Sequence, residues 1–216
     1  MPGATIGEKE GLVYSPMEPR ISAVLLAAGL SRRMGGDKLL IEHGGKTMLQ
    51  RAADLLSSLP VDEKILVTTR ARLDALRLPY GVTVAINARP EEGQSRSVRL
   101  GLELASGEWY FFMLADQPGL EIADLRELIE YAGLYEGKII YPAIDGNPCT
   151  PALFSSRFRT ELLALSGDVG GRAVRDAHPA ACIAVEPMRP ELFYDIDYMG
   201  DFYGKTYCKR NRNRVP

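Results

Sequence analysis

Histidine is nearly absent from this chain: His43 and His178 are the only two in 216 residues. That rules out a histidine-rich zinc site, no H-E-x-x-H occurs, and a serine hydrolase would have to draw its base from one of these two. Cysteine is scarce as well. Cys149, Cys182 and Cys208 form no C-x-x-C pair, and three cannot all pair within one chain, which fits a reducing cytoplasm better than a disulfide-stapled secreted domain. No apolar run exceeds about seven residues, far below the roughly 20 needed to span a bilayer. Residues 1–20 carry Glu8, Lys9, Glu10, Pro16 and Pro19 but no apolar segment of signal-peptide type. The expected protein is cytoplasmic, without a membrane partner. Neither sign of charge dominates: 26 Lys+Arg against 28 Asp+Glu leave a net charge of −2 and a pI near 5.8. A nucleic-acid partner is not expected from so balanced a chain.

What the chain does hold is enough for a packed core, with 46% hydrophobic and 25% charged residues. Apolar runs of strand length fall at Ile21–Ala27, Ile65–Thr69, Val82–Asn87, Trp109–Leu114, Lys138–Tyr141 and Ala181–Glu186. They are mostly unbroken rather than alternating, the pattern of strands covered on both faces. Between them Met48, Ala52, Leu55, Leu56 and Leu59 recur with helical spacing, as do Ile122, Leu125, Leu128, Ile129 and Ala132. Val98, Leu102 and Ala105 mark a third helix, and Arg157–Leu165 a fourth. This alternation predicts an α/β fold of right-handed βαβ units, a mostly parallel twisted sheet with helices on both faces. The expected layout is one domain over residues 21–204, between a polar leader (1–20) and a tail (205–216). The tail holds Lys205, Lys209, Arg210, Arg212 and Arg214 and no acid, and is read as solvated.

Ligands of such sheets bind outside the carboxyl ends of the strands, so the loops after the strands carry the argument. The first run leads into Ala27-Ala28-Gly29-Leu30-Ser31-Arg32-Arg33-Met34-Gly35-Gly36-Asp37-Lys38. Glycines let backbone N–H groups approach a ligand, and Arg32, Arg33 and Lys38 add cations, together the requirements of a polyphosphate. The alternative is a glycine-rich turn with a solvated charged face. Better-known phosphate motifs fail here. Ser31 stands where G-x-G-x-x-G needs its second glycine, and Leu40 stands where a P-loop ending at Gly45-Lys46-Thr47 needs its first. Gly44 and Gly45 read instead as a tight turn before the helix that starts near Thr47. No G-x-S-x-G elbow closes around Ser31 or Ser95.

The stretch Leu26 to Leu40 closely resembles the signature L-A-[AG]-G-x-S-x-R-M-G-x-x-K of the nucleotidyltransferases related to the molybdenum cofactor enzymes. Its Ala-Ala-Gly form is similar to that of the molybdenum cofactor cytidylyltransferases, whereas guanylyltransferases more often read Ala-Gly-Gly. The resemblance implies a single-domain Rossmann-like nucleotidyltransferase fold. It also implies that Leu26, Ala27, Ala28, Gly29 and Ser31 line the nucleotide while Arg33 and Lys38 contact its triphosphate.

The run Trp109–Leu114 ends in Ala115-Asp116-Gln117-Pro118, an acid at the carboxyl end of a buried strand. Asp116 is either a carboxylate for Mg²⁺ or a cap for the next helix; the resemblance of Leu-Ala-Asp-Gln-Pro to the family's metal motif favours the metal. A second ligand is expected from Tyr194-Asp195-Ile196-Asp197, similar to the family's Asp-x-Asp but followed by Tyr-Met-Gly rather than Thr-Pro-Glu. Asp197 is favoured over Asp195. Gly93-Gln94-Ser95 resembles a nucleotide-lining segment of the family, Ser95 being otherwise a simple N-cap. Asp168 and Arg172, in a Gly-Asp-x-Gly-Gly-Arg stretch, are expected either to help form the acceptor pocket or, for Asp168, to cap the following helix. Asn147, Cys149 and Thr150 stand where the cytidylyltransferases usually show Gly-His-Pro and are expected to face the acceptor.

The resemblance thus implies an enzyme using CTP (or GTP), Mg²⁺ and molybdopterin, with Arg33, Lys38, Asp116 and Asp197 as its catalytic residues. Its protein partner would be a molybdenum hydroxylase or a cofactor-delivery protein. The rivals are a guanylyltransferase, transfer to another phosphorylated acceptor, and a non-catalytic chaperone that holds the molybdenum cofactor.

Overall fold

The computed structural model describes residues 19–30 and 36–193, with the backbone alone at His43. In chain order the elements are β1 (Ile21–Ala27), β2 (Glu42–His43), β3 (Lys46–Thr47), α1 (Met48–Ser57), β4 (Glu63–Thr68), α2 (Arg70–Asp74), β5 (Thr83–Ile86), α3 (Gln94–Leu104) and β6 (Trp109–Leu114). Then come α4 (Ile122–Leu134), β7 (Ile139–Ile144), β8 (Asn147–Pro148), β9 (Ala152–Ser155), α5 (Arg159–Leu163), α6 (Arg172–Ala177) and β10 (Cys182–Val185). The main sheet has the order β10-β7-β9-β6-β1-β4-β5, with β8 folded back on β7. β1 pairs in parallel with β4 on one side and β6 on the other, and β4 with β5 and β7 with β10 are parallel too. Only β9 among the main-sheet strands of this order runs against its neighbours, β6 and β7. The expected α/β fold with a mostly parallel sheet is what forms.

The unbroken apolar runs follow from cover on both faces. Along β1, Ala23, Leu25 and Ala27 pack with Met48, Leu49 and Leu56 of α1 and with Leu125 and Leu128 of α4. The intervening Val24 and Leu26 pack with Val98 and Leu102 of α3 and with Leu162 of α5. Every residue of β1 is buried, so neither face tolerates a polar alternation. Among the described residues no helix is long and apolar enough to cross a membrane.

The chain leaves β1 toward β4 and β5, then returns past β1 to form β6. The loops at the carboxyl ends of β1 and β6 therefore depart in opposite directions and leave a crevice between them.

Three local features differ from or extend the sequence reading. Ala152–Ser155 forms a strand where none was expected, because four residues give too short a run to separate from a loop. Gly44 and Gly45 (φ +58° and +77°) turn a β2–β3 hairpin, and the hydroxyl of Thr47 caps α1 by accepting the N–H of Gln50 at 3.1 Å. That hairpin replaces any P-loop, and Lys46 is paired with Asp54 at 2.6 Å. Ser95 is not an N-cap: α3 begins at Gln94 behind Gly93, whose φ of +91° only glycine adopts readily.

At the amino ends of β1 and β4, far along the strands from the crevice, Glu63 gathers a hydrogen-bond network. Its carboxylate accepts from Ser22 Oγ at 2.5 Å, from the Ser106 N–H at 2.8 Å and from Ser106 Oγ at 2.6 Å. Partial burial pushes the Glu63 carboxyl up, but these donors and Arg20 outweigh it and leave the group below its ordinary value. A depressed carboxylate stabilises the fold above its unfolded-state pKa and loses that contribution as pH falls through the folded-state one. Glu63→Gln is expected to cost about 1 kcal/mol at neutral pH, discounted for solvent screening, and to lose part of the acid sensitivity below about pH 4. Denaturation midpoints against pH check this; a variant as acid-sensitive as the wild type contradicts it.

Candidate active site

The crevice holds a cleft of about 390 Å³, within the range of small-molecule sites. The loop after β1 supplies Leu26, Ala28, Gly29 and Leu30, and the short 3₁₀ turn Lys38–Leu40 supplies Lys38 and Leu39. The end of β6 supplies Leu114, Ala115 and Asp116. Pro90 to Gln94 and Ser97 come from the entry and first turns of α3, and Gly167 and Asp168 close the rim.

The central contact joins two loops 78 residues apart. Lys38 Nζ lies 2.7 Å from Asp116 Oδ2, and both side chains are less than one-fifth exposed. Asp116 Oδ1 is buried and has no hydrogen-bond partner among the described residues. Asp116 does not cap α4, since Glu121 holds that position with its N–H donating to Asp124. The carboxylate is thus oriented by Lys38 and retains one oxygen for another electropositive group.

Asp37 precedes Lys38 and accepts the N–H of Leu39 at 3.1 Å, capping the turn that carries the lysine. Arg72 of α2 pairs with Asp37 through Nε at 2.6 Å and also reaches the carbonyls of Ala27 and Gly29. On the far side, α3 docks against the 167–168 loop: the Ser95 N–H donates to the Gly167 carbonyl at 3.3 Å and the Gln94 N–H to Asp168 Oδ1 at 3.4 Å. Ser97 Oγ accepts from Asn87 Nδ2 at 3.0 Å, which fixes the hydroxyl at the cleft wall.

The structure brings Leu26, Ala28, Gly29, Lys38, Gly93, Gln94, Asp116 and Asp168 to one cleft. Ala27 sits behind the wall with its carbonyl on Arg72, and Ser95 is fully buried beside it with Oγ unpartnered. Asp168 caps the start of α3 rather than α6, whose N-cap is Gly171. Asn147, Cys149, Thr150 and Arg172 do not line this cleft. Asn147 is on the exposed β8, and Arg172 is exposed and pairs with Asp176 at 3.3 Å. Thr150 is linked to the site indirectly, its carbonyl accepting from Gln117 Nε2 at 3.1 Å. Ser31, Arg33, Asp195 and Asp197 lie outside the described residues. Arg72, Glu91, Glu92 and Ser97 escaped the sequence reading; the nearest signal for Arg72 was a Thr-Arg-Ala-Arg stretch directly after a strand.

A glycine loop at a topological reversal, a lysine on a carboxylate at the next strand end, and an adjoining helix start are the equipment of an α/β nucleotide-binding enzyme. Residues 23–182 match the model of the MobA-like NTP transferase domain, and the chain belongs to that family. Those residues form a domain of the nucleotidyltransferase type. A relative from Natranaerobius thermophilus, named a probable molybdenum cofactor guanylyltransferase, is 28% identical over 61% of this chain, which spans 64% of the relative's length. The purine catabolism protein PucB of Bacillus subtilis is 29% identical over 71% of this chain and 80% of its own. Among solved structures, Rv0371c of Mycobacterium tuberculosis superposes with a TM-score of 0.68 at 25% identity, covering 87% of this chain and 97% of its own; another structure of it is described as a complex with manganese.

Gly93 is the joint on which the cleft's far wall turns. A Cβ there would lie 2.4 Å from the Gly167 carbonyl carbon and oxygen and 2.6 Å from the Asp168 nitrogen. Gly93→Ala is expected to lose about 1–3 kcal/mol of stability through backbone strain and overpacking. Urea denaturation reads the effect, and an unchanged midpoint contradicts it.

Proposed function

We propose that this enzyme transfers CMP from CTP to the phosphate of molybdopterin, releasing pyrophosphate, in the cytoplasm, and that residues 21–204 form the catalytic domain. The observation that carries the reading is the Lys38–Asp116 contact inside the cleft. It places a phosphate-seeking cation and a metal-seeking carboxylate at one point. In the reaction an acceptor phosphate oxygen attacks the α-phosphorus in line. A bond from that oxygen to the α-phosphorus forms, the bond to the bridging oxygen breaks, and pyrophosphate carries off the electron pair. No protein nucleophile is needed; catalysis is positioning and charge stabilisation.

Lys38 stabilises charge on the departing pyrophosphate, and Arg33 is proposed to join it. The N–H groups of the loop after β1 hold the phosphates. Lys38 pairs with Asp116 at 2.7 Å, while Glu92, also in the cleft lining, is already paired with Arg89 and Arg96. A triphosphate seated beside the Asp116 carboxylate is expected to enter with a divalent cation. The donor set fits Mg²⁺: Asp116 offers a buried, unpartnered hard oxygen. Among the described residues no group of three or more metal-ligating side chains is assembled, which suits an ion held by one or two carboxylates and the substrate's own phosphates. When bound, the ion supplies Lewis-acid polarisation of the phosphates and a template for the in-line geometry.

Asp197, with Asp195 as its neighbour, is proposed as the second metal ligand. Gln117 supports this, because its Nε2 also donates to the carbonyl of Phe193, one residue before Tyr194. Its bond to the Thr150 carbonyl ties that residue to the end of β6; Asn147, Cys149 and Thr150 are proposed as the acceptor side, with Asp168 and Arg172. The Ala-Ala-Gly form of the loop supports CTP; the guanylyltransferase name of a relative makes GTP the second reading. The product would pass to a molybdenum hydroxylase or a protein that delivers the cofactor to one.

Pyrophosphate release with molybdopterin and each nucleotide in turn tests the proposal. CTP with Mg²⁺ or Mn²⁺ should support turnover that chelation abolishes. Asp116→Ala is expected to lower kcat about 100-fold or more, and Lys38→Ala to weaken use of the triphosphate. Release with GTP alone overturns the cytidine assignment. Tight pterin binding with no release from any nucleotide overturns catalysis and favours a cofactor-holding chaperone.

A further inference from the structure

We infer that Arg72 is a positioning residue of the nucleotide site: it turns the N–H groups of the loop after β1 toward the cleft and, through Asp37, sets the turn that presents Lys38. The inference rests on the nucleotide-binding reading given above. Arg72 is the one buried residue of the five-residue α2, a position where packing alone would take leucine or methionine. Its side chain is 5% exposed. Burying a guanidinium is costly unless its donors are matched, and Arg72 matches its own on the two ends of one connection, Ala27–Gly29 and Asp37. Nη1 donates to the Ala27 carbonyl at 2.6 Å and Nη2 to the Gly29 carbonyl at 2.8 Å. Nε and Nη2 hold the two oxygens of Asp37 at 2.6 and 2.9 Å. One rigid fork thus straps both ends of residues 27–37.

The orientation has a consequence through the planar trans peptide. The carbonyl of Ala27 and the N–H of Ala28 point in opposite directions within their shared plane, as do the carbonyl of Gly29 and the N–H of Leu30. With both carbonyls on the guanidinium, both N–H groups face away from it, and Ala28, Gly29 and Leu30 all line the cleft. Two acceptors of the loop, the carbonyls of Ala27 and Gly29, are taken up by Arg72, and the N–H groups that follow them are turned toward the side where an anion would sit. Asp37 carries the effect onward, because the carboxylate that Arg72 holds also accepts the Leu39 N–H in the turn containing Lys38. Lysine at position 72 would keep the charge but not reach three acceptor groups in fixed directions.

Calorimetric titration with Mg·CTP and Mg·GTP tests this on the wild type and on Arg72→Lys, Arg72→Gln and Asp37→Asn, with circular dichroism confirming the fold. Arg72→Lys is expected to bind the nucleotide that the wild type takes at least about ten-fold more weakly, from lost charge-assisted hydrogen bonds. Asp37→Asn should weaken it too, and the Arg72→Lys/Asp37→Asn pair should be no worse than the more severe single change. In turnover the loss should fall on the nucleotide KM while the acceptor KM stays unchanged. If Arg72→Gln does not fold, Arg72→Lys alone decides. A folded Arg72→Lys that binds nucleotide within two-fold of the wild type overturns the inference and leaves the proposed function standing. A wild type that binds neither nucleotide overturns the proposed function and this inference with it.

Discussion

β1 has a parallel neighbour on each side, and the chain reaches those neighbours by moving in opposite directions. The loops leaving β1 and β6 must therefore diverge, and the gap between them is too polar for the core to fill. Everything that marks this protein as an enzyme is placed by that gap. The glycine loop lines one wall, Asp116 stands at the other, and Lys38 crosses between them at 2.7 Å. Each of these two charges is largely withdrawn from water, and each balances the other.

Stability and chemistry occupy opposite ends of the same strands. At the amino ends, Ser22, Glu63 and Ser106 exchange hydrogen bonds that leave little unsatisfied. Around the carboxyl ends the accounting is left open: Asp116 Oδ1, Gln117 Oε1 and Ser95 Oγ are buried without partners among the described residues. Buried polar atoms without partners destabilise a fold. For Asp116, beside the cleft, a metal-bound nucleotide gives that arrangement a use.

Each of the six apolar runs contains or overlaps a strand, and the record is plainest for β1 and β6, which are buried along almost their whole length. Ile21–Ala27 and Trp109–Leu114 were legible to the residue. Strand order was not, since nothing in the run Ile65–Thr69 says that it lies beside β1. Arg72 follows that run, so its grip on Ala27, Gly29 and Asp37 was invisible until the neighbours were known. The Ser95 N-cap failed for a different reason. The local preference for serine was overridden by the docking of Gly93 on Gly167, a contact between residues 74 apart in the chain. Lys38, Asp116, Gly29 and Gln94, singled out by motifs, line one cleft. Asn147 and Cys149, taken from a segment that departs from the motif, do not line it, and neither does Arg172, although its Gly-Asp-x-Gly-Gly-Arg stretch matches the motif.

The central claim is that Lys38 and Asp116 together receive a metal-bound nucleoside triphosphate. A crystal structure of the protein with Mn²⁺ and a non-hydrolysable α,β-methylene analogue of CTP tests it most directly, because anomalous scattering locates the ion independently of the nucleotide. The account predicts the ion on Asp116, Lys38 moved from the carboxylate to the phosphates, and the amides of Ala28 and Leu30 directed at phosphate oxygens. An ion bound away from Asp116, or a nucleotide seated elsewhere with the Lys38–Asp116 contact intact, would contradict it.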